Sequence, residues 1–285
     1  MAIKTTEGKG PRFYFDTDNP AIKYPGVTAI VGMLPKPFLQ RWNANMAADC
    51  VVENIDFVYP MIKGDPKGAR QYIAGAAYRY TRDRQEIGNE AHDMFERMIR
   101  GERVGYVARD MEPFKRHFGE FLDAVQPELV RAEDVAWSDA HKYAGSFDAA
   151  LRLRLDENGK PDPAGESALV IADWKTGKNT YPDVALQMSA YAHAEAIIAP
   201  DGSREPMPEF DGACVLHITA DECEFLPVAI DEFVIDEETH NVFEYFLHLR
   251  QTFSWDRIAS KKVLGDSIWS MDSGALVTGT QRRAR

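Results

Sequence analysis

Ala168-Leu169-Val170-Ile171-Ala172-Asp173-Trp174-Lys175-Thr176-Gly177 is the stretch on which the reading of this chain turns. An apolar run that ends in polar residues and a glycine predicts a buried strand over 168–174. Along a strand, residues i and i+2 point to the same face, so Asp173 and Lys175 stand together while Trp174 faces away. A carboxylate and an ammonium group side by side at a strand end suit phosphodiester hydrolysis. The carboxylate can hold a hard cation, and the lysine can counter charge on the phosphate or orient the water. A plain strand-end salt bridge is the other reading of the same pair.

Working outward, Gly145-Ser146-Phe147-Asp148 lies upstream in a strand-like run, 144–155. An acid set among Phe147, Ala149 and Ala150 is costly to bury unless it is paired or binds a metal; a turn aspartate capping an amide is the alternative. If this strand neighbours 168–174, Asp148 and Asp173 can reach one cation. Two carboxylates completed by water and phosphate oxygens match Mg²⁺ or Mn²⁺. Downstream, Gln187 and Tyr191 sit i, i+4 on a helix predicted over 182–198, on a stripe with Val184, Ala194 and Ile198. An amide in that apolar stripe needs a polar partner, although a tyrosine there by itself reads as core. Further upstream, a helix over 86–100 has Ile87, Ala91, Met94 and Met98 at helical spacing and is closed by Gly101. His92 on it points towards the protein body, where a lone histidine is more often a hydrogen-bonded core residue than a ligand.

The rest of the pattern is helices first, then strands. Short strands are predicted at 12–15 and 27–34 with a Pro25-Gly26 turn, and helices at 37–55, 66–82 and 112–125. Strands follow at 134–137, 212–218 and 223–230, and a last helix at 236–253. The order β-β-β-α-β-β-α after the leading helices predicts an α/β (α+β) fold with a mixed central sheet flanked by helices. Residues 1–85 are expected to pack on a core of 86–260, with 261–285 as a tail, appended or partly disordered from Ser267.

The chain of 285 residues is 45% hydrophobic and 27% charged, an ordinary globular composition. Neither a transmembrane run nor a signal-peptide core is legible, and three scattered cysteines argue against a disulfide scaffold. A soluble, cytoplasmic protein with no membrane partner is therefore expected. The net charge of −12 opposes a nucleic-acid partner only weakly, because it is unevenly spread. Residues 221–238 hold eight acids and no Lys or Arg, whereas 70–84 hold four arginines against Asp83, with Tyr72, Tyr78 and Tyr80 interleaved. That stretch, with Arg79 and Arg82, is the candidate for strand contact by phosphate pairing and base stacking; a solvated helix face is its competitor.

Taken together, His92, the G-x-x-D of Gly145 to Asp148, the D-x-K of Asp173 to Lys175 and the Q-x-x-x-Y of Gln187 to Tyr191 resemble the RecB-like branch of the PD-(D/E)XK nuclease superfamily, including its phage-type exonucleases. The motifs cover residues 87–198, about two-fifths of the chain. The resemblance implies a restriction-endonuclease-like core and metal-dependent DNA hydrolysis, exonucleolytic rather than endonucleolytic, in phage DNA recombination, repair or replication. It implies Asp148 and Asp173 as metal ligands, Lys175 as the catalytic lysine, His92 as a further ligand, and Gln187 and Tyr191 lining the site. Glu133 is expected near it. Members with an iron–sulfur cluster use four cysteines, so no cluster is expected. No G-x-x-x-x-G-K-[ST] loop occurs, so no nucleotide cofactor is expected, and any unwinding would fall to a helicase or strand-annealing partner. The rival reading is a catalytically silent DNA- or protein-binding module on the same fold; a metal-dependent hydrolase of nucleotides or other phosphoesters is a second.

Overall fold

The computed structural model describes residues 2–6, 10–267 and 269. Strands β1 (Ile3–Thr5), β2 (Phe13–Asp16) and β3 (Tyr24–Pro25) form a small antiparallel sheet and lead into the short helix α1 (Val27–Val31). Helices α2 (Phe38–Glu53), α3 (Ile55–Gly64), α4 (Pro66–Ala74), α5 (Ala76–Ile99) and α6 (Glu112–Val125) follow. Then come β4 (Glu128–Ala132), β5 (Val135–Ser138), β6 (Tyr143–Ser146), β7 (Ala149–Leu155) and β8 (Glu166–Lys175). Helix α7 (Val184–Ala192) is followed by β9 (Ala196–Ile198), β10 (Arg204–Pro206), β11 (Gly212–Ile218) and β12 (Cys223–Val228). The hairpin β13 (Glu232–Ile235) and β14 (Glu238–Asn241) precedes α8 (Val242–Arg257).

The central sheet has the order β12-β11-β8-β7-β4, parallel only between β11 and β8 and antiparallel elsewhere. Strand β11 and the second half of β8 are buried on both faces, in line with the apolar run at 168–174, whereas the edge strands β4 and β12 are partly exposed. Ala149, Leu151, Val170, Ala172, Trp174, Cys214 and Leu216 face α5 and α6. Ala150, Ile171, Ala213 and Val215 face α1, α7 and α8. A second antiparallel sheet, β10-β9-β5-β6, lies beside it. Helix α6 shows why the layers hold: Phe114, His117, Phe118 and Phe121 fall at i, i+3, i+4 and i+7 and are all buried. Phe118 stacks on Phe95 of α5 at 4.5 Å and meets Trp174 edge-on at 5.4 Å. A mixed α/β fold with a mixed sheet flanked by helices is as expected.

Local expectations fail where tertiary burial overrides propensity. Residues 27–34 do not form a strand. Their β-branched run favours one, but a helical turn puts Val27, Ile30 and Val31 together into the core. The single strand expected over 144–155 is two strands in two sheets, broken at Phe147 and Asp148, where the Phe147 N–H donates to the Asp134 carbonyl. The helix expected over 182–198 stops at Ala192, and Ile197 and Ile198 belong to β9, paired with β5. The last helix starts at Val242 rather than 236. Asp236 and Glu237 are both left-handed and close the β13–β14 turn, and the Asn241 side chain caps α8.

The helices expected at 66–82 and 86–100 are divided at Gly75 instead, with α5 continuous through position 85, the expected domain boundary. Strand β4 was not anticipated. Beyond a 3₁₀ turn at Ala259–Lys262, the expected tail lies largely outside the described residues. Among the described residues no helix is long and apolar enough to cross a membrane.

Candidate active site

The site forms where the central sheet forks. The β7–β8 ladder ends at the pair Ala149–Ala172, so β8 runs on past its partner. On one flank β11 continues alongside, Val215 against Asp173 and His217 against Lys175. On the other flank the Asp148 carboxylate replaces the missing strand, with its Oδ2 accepting the Trp174 N–H at 2.7 Å. The break in the run 144–155 therefore carries Asp148 to the end of β8.

Asp173 is 3% exposed. Its Oδ1 accepts from Gln187 Nε2 at 2.9 Å, and the same amide reaches the Tyr191 hydroxyl at 3.3 Å. Its Oδ2 forms an ion pair with Lys175 Nζ yet accepts no hydrogen bond of good geometry, leaving a buried carboxylate oxygen only partly satisfied. Burial first, and then the charge of Asp148, raise the Asp173 carboxyl to about 6, against the opposing pull of Lys175. His92 Nδ1 stands 3.4 Å from Asp148 Oδ1. Burial lowers the imidazole pKa, but the hydrogen bond and charge of Asp148, with Asp173 behind it, outweigh that and leave it raised.

Two further acids belong to the cluster. Glu133, left-handed at φ 59°, donates its backbone N–H to the Asp148 carbonyl at 3.2 Å, so it lies beside the site as expected. Burial, Asp148 and Glu96 raise its carboxyl to about 7. Glu96 escaped the sequence reading. Its signal was the spacing: it follows His92 by four residues on α5, and Gly88 precedes His92 by four, so all three share one face. A Cβ on Gly88 would sit 3.4 Å from Thr176 Oγ1, which shows α5 passing close over the tip of β8.

Tyr191 is 2% exposed and packs where a Cβ on Gly145 would clash at 2.7 Å with its ring. The glycine of the G-x-x-D motif is thus explained by a close approach. Arg79 and Arg82 are on α5 but not at the cluster. The Arg79 guanidinium donates to the Tyr72 carbonyl at 2.8 Å and stacks over the Tyr72 ring, so it braces the helices against one another. Arg82 is exposed and paired with Glu86 and Asp83. At 1.5 Å per residue, Arg82 lies about 15 Å along the helix from His92.

Lys175 and Gln187 open onto a cavity of about 170 Å³ that also touches Val31, Thr180, Tyr181 and Asp183. His217 Nε2 donates to the Gly177 carbonyl at 2.8 Å and pins the loop leaving Lys175. Neither His217 nor Tyr181 stood out in the sequence, since neither has a motif of its own.

No three His, Cys, Asp or Glu side chains among the described residues form a ready-made metal cluster. The donor chemistry nevertheless fits a hard cation. Asp148 and Asp173 repel one another, one buried carboxylate oxygen is under-satisfied, and Lys175 is the ion-pair partner of Asp173. In comparisons with known proteins, no family model matches the chain and no curated protein matches it.

Proposed function

We propose that this chain is a Mg²⁺- or Mn²⁺-dependent deoxyribonuclease with a PD-(D/E)XK-type core of the RecB-like branch. The observation that carries the reading is the convergence of Asp148, Asp173 and Lys175 at the fork of the central sheet, with Gln187 fixing Asp173. A salt bridge needs one acid and one base; a second, partly buried acid against the first favours a site that takes up a cation. Asp148 and Asp173 would hold it, with His92 as a nitrogen donor. Bound there, a divalent cation would polarise the scissile phosphate and lower the pKa of a water.

The protein's own groups supply the rest. Gln187 orients the Asp173 carboxylate by holding Oδ1. Lys175, a third exposed and lining the cavity, can swing from Asp173 to the phosphate and offset charge there as a point charge. Trp174 and the strands beside it keep the tip of β8 rigid, since Trp174 is almost wholly buried.

The test is incubation of end-labelled linear and circular DNA with Mg²⁺, Mn²⁺ or EDTA, beside the Asp173→Ala variant. Metal-dependent loss of linear DNA, absent in the variant, is the expected result; survival of the circle would make the enzyme an exonuclease. DNA bound but uncut under every metal would replace this reading with a silent binding module.

A further inference from the structure

The cavity beside Lys175 and Gln187 has one wall that the catalytic reading does not use. Tyr181 lines it, about half exposed, and lies flat against Phe38 at the start of α2, with ring centroids 6.1 Å apart and planes 12° from parallel. The same two segments are clasped by Lys36 and Asp183 at 2.9 Å. Two parallel, half-exposed rings fixed at the mouth of a polar cavity bury little apolar surface for their size. They gain the protein little as packing, whereas they present a π-face to anything entering.

The surface continues in one direction. Arg41 and Trp42 follow Phe38 by three and four residues on α2 and share its face. Trp42 meets Tyr80 of α5 at 5.9 Å, and the Arg84 guanidinium lies 5.5 Å from the Tyr80 ring. An aromatic string therefore leads from the cavity across two helices with cations interleaved. Residues 36–85 carry eight Lys and Arg against five Asp and Glu, in a chain whose net charge is −12. Lys178, exposed on the loop after Lys175, immediately precedes Asn179, which lines the cavity, and adds a cation to that segment.

We infer that Tyr181 and Phe38 form a stacking platform for an unpaired base next to the phosphate at Lys175. The strand would continue over Trp42 and Tyr80, so that the substrate is single-stranded DNA or the frayed end of a duplex. Bases stacked within a duplex have no free face to offer the pair, while the bases of a single strand do. Alternating rings and cations match the alternating bases and phosphates of such a strand. The inference rests on the nuclease reading above, because it uses the phosphate position at Lys175.

Binding in EDTA separates the platform from catalysis. Fluorescence anisotropy would compare a single-stranded oligonucleotide of about twenty nucleotides with a blunt duplex, and 2-aminopurine within the single strand would report stacking. The wild type should prefer the single strand at least about ten-fold and quench the probe. Tyr181→Ala and Phe38→Ala should each weaken that binding about five-fold or more and release the quenching, while Tyr181→Phe, which keeps the ring, should not. Both positions are half exposed, so melting temperatures close to wild type are expected.

Equal affinity for duplex and single strand, or alanine variants that bind and quench as the wild type does, would overturn the platform. If the wild type meanwhile cuts DNA in a metal-dependent way, the nuclease reading stands without it. A wild type that neither binds nor cuts any DNA overturns both.

Discussion

The central sheet and the helices α2 to α4 are built on opposite principles. Around the sheet, Phe95, Phe118, Leu151, Ile171 and Trp174 are almost wholly buried and interlock across the strands. In the helices, Cys50, Val58 and Ala69 are the residues that reach full burial, while Phe38, Val52, Ile55, Phe57 and Tyr59 remain largely exposed. Close packing fixes geometry to fractions of an ångström, which paired carboxylates require. A loosely buried helical surface can adjust to what it grips. On the proposed function this contrast is a division of labour, with chemistry on the rigid region and substrate contact on the adaptable one.

The largest difference should appear in catalysis. On the proposed function Lys175→Ala and Asp148→Ala should each slow cleavage roughly a thousand-fold or more, the first by removing charge at the phosphate and the second by removing a cation ligand. Arg82→Ala, on the exposed first half of α5, should leave the single-turnover rate near wild type while reducing the salt slope of DNA binding by about one. A thousand-fold loss from Arg82→Ala, or none from Lys175→Ala, would erase the distinction.

Stability should divide the same way. Phe118→Ala opens a cavity against Phe95 and Trp174 and should cost about 3–5 kcal/mol. Phe57→Ala removes a ring that is 57% exposed and should cost less than about 1 kcal/mol. Denaturant titration of both variants measures the contrast, and equal losses would contradict it.

A smaller effect concerns pH. Asp173 and Glu133 have carboxyls raised to about 6 and about 7, so the folded state holds these protons more tightly than the unfolded chain does. Their stabilising contribution is complete below the ordinary carboxylate range and is lost as pH rises through the raised values; raised His92 acts in the same direction. In EDTA, the melting temperature should therefore rise as pH is lowered from about 8 to about 5. Mn²⁺ should flatten that slope by stabilising the ionised acids. A metal-free slope of the opposite sign would mean that the cluster is not under electrostatic strain.

How much of this was legible from sequence followed the range of the interactions. The strand at 168–174 and helix α6 announce themselves because their burial is written in consecutive apolar residues or a single amphipathic face. Asp173, Lys175 and Gln187 are brought together by strand alternation and one short connection, which spacing can suggest. Val27 to Val31 misled because local β-branched preference lost to a core contributed by α7 and α8. The break at Phe147 and Asp148 was invisible because it depends on a hydrogen bond to the Asp134 carbonyl, in the connection between β4 and β5. Glu96 was within reach, one turn beyond His92. Tyr181 was not, since its significance comes from Phe38, 143 residues earlier in the chain.

On the proposed function, Asp148 and Asp173 are held together to receive a divalent cation that drives DNA hydrolysis. The most direct measurement is the single-turnover cleavage rate of an end-labelled oligonucleotide across a Mn²⁺ titration, for the wild type and for Asp173→Asn, which keeps the side chain's size. The expected result is a wild-type rate that is nil in EDTA and saturates with Mn²⁺, with the variant flat at baseline throughout. Cleavage in EDTA, or an Asp173→Asn variant that follows the wild-type curve, would contradict the account.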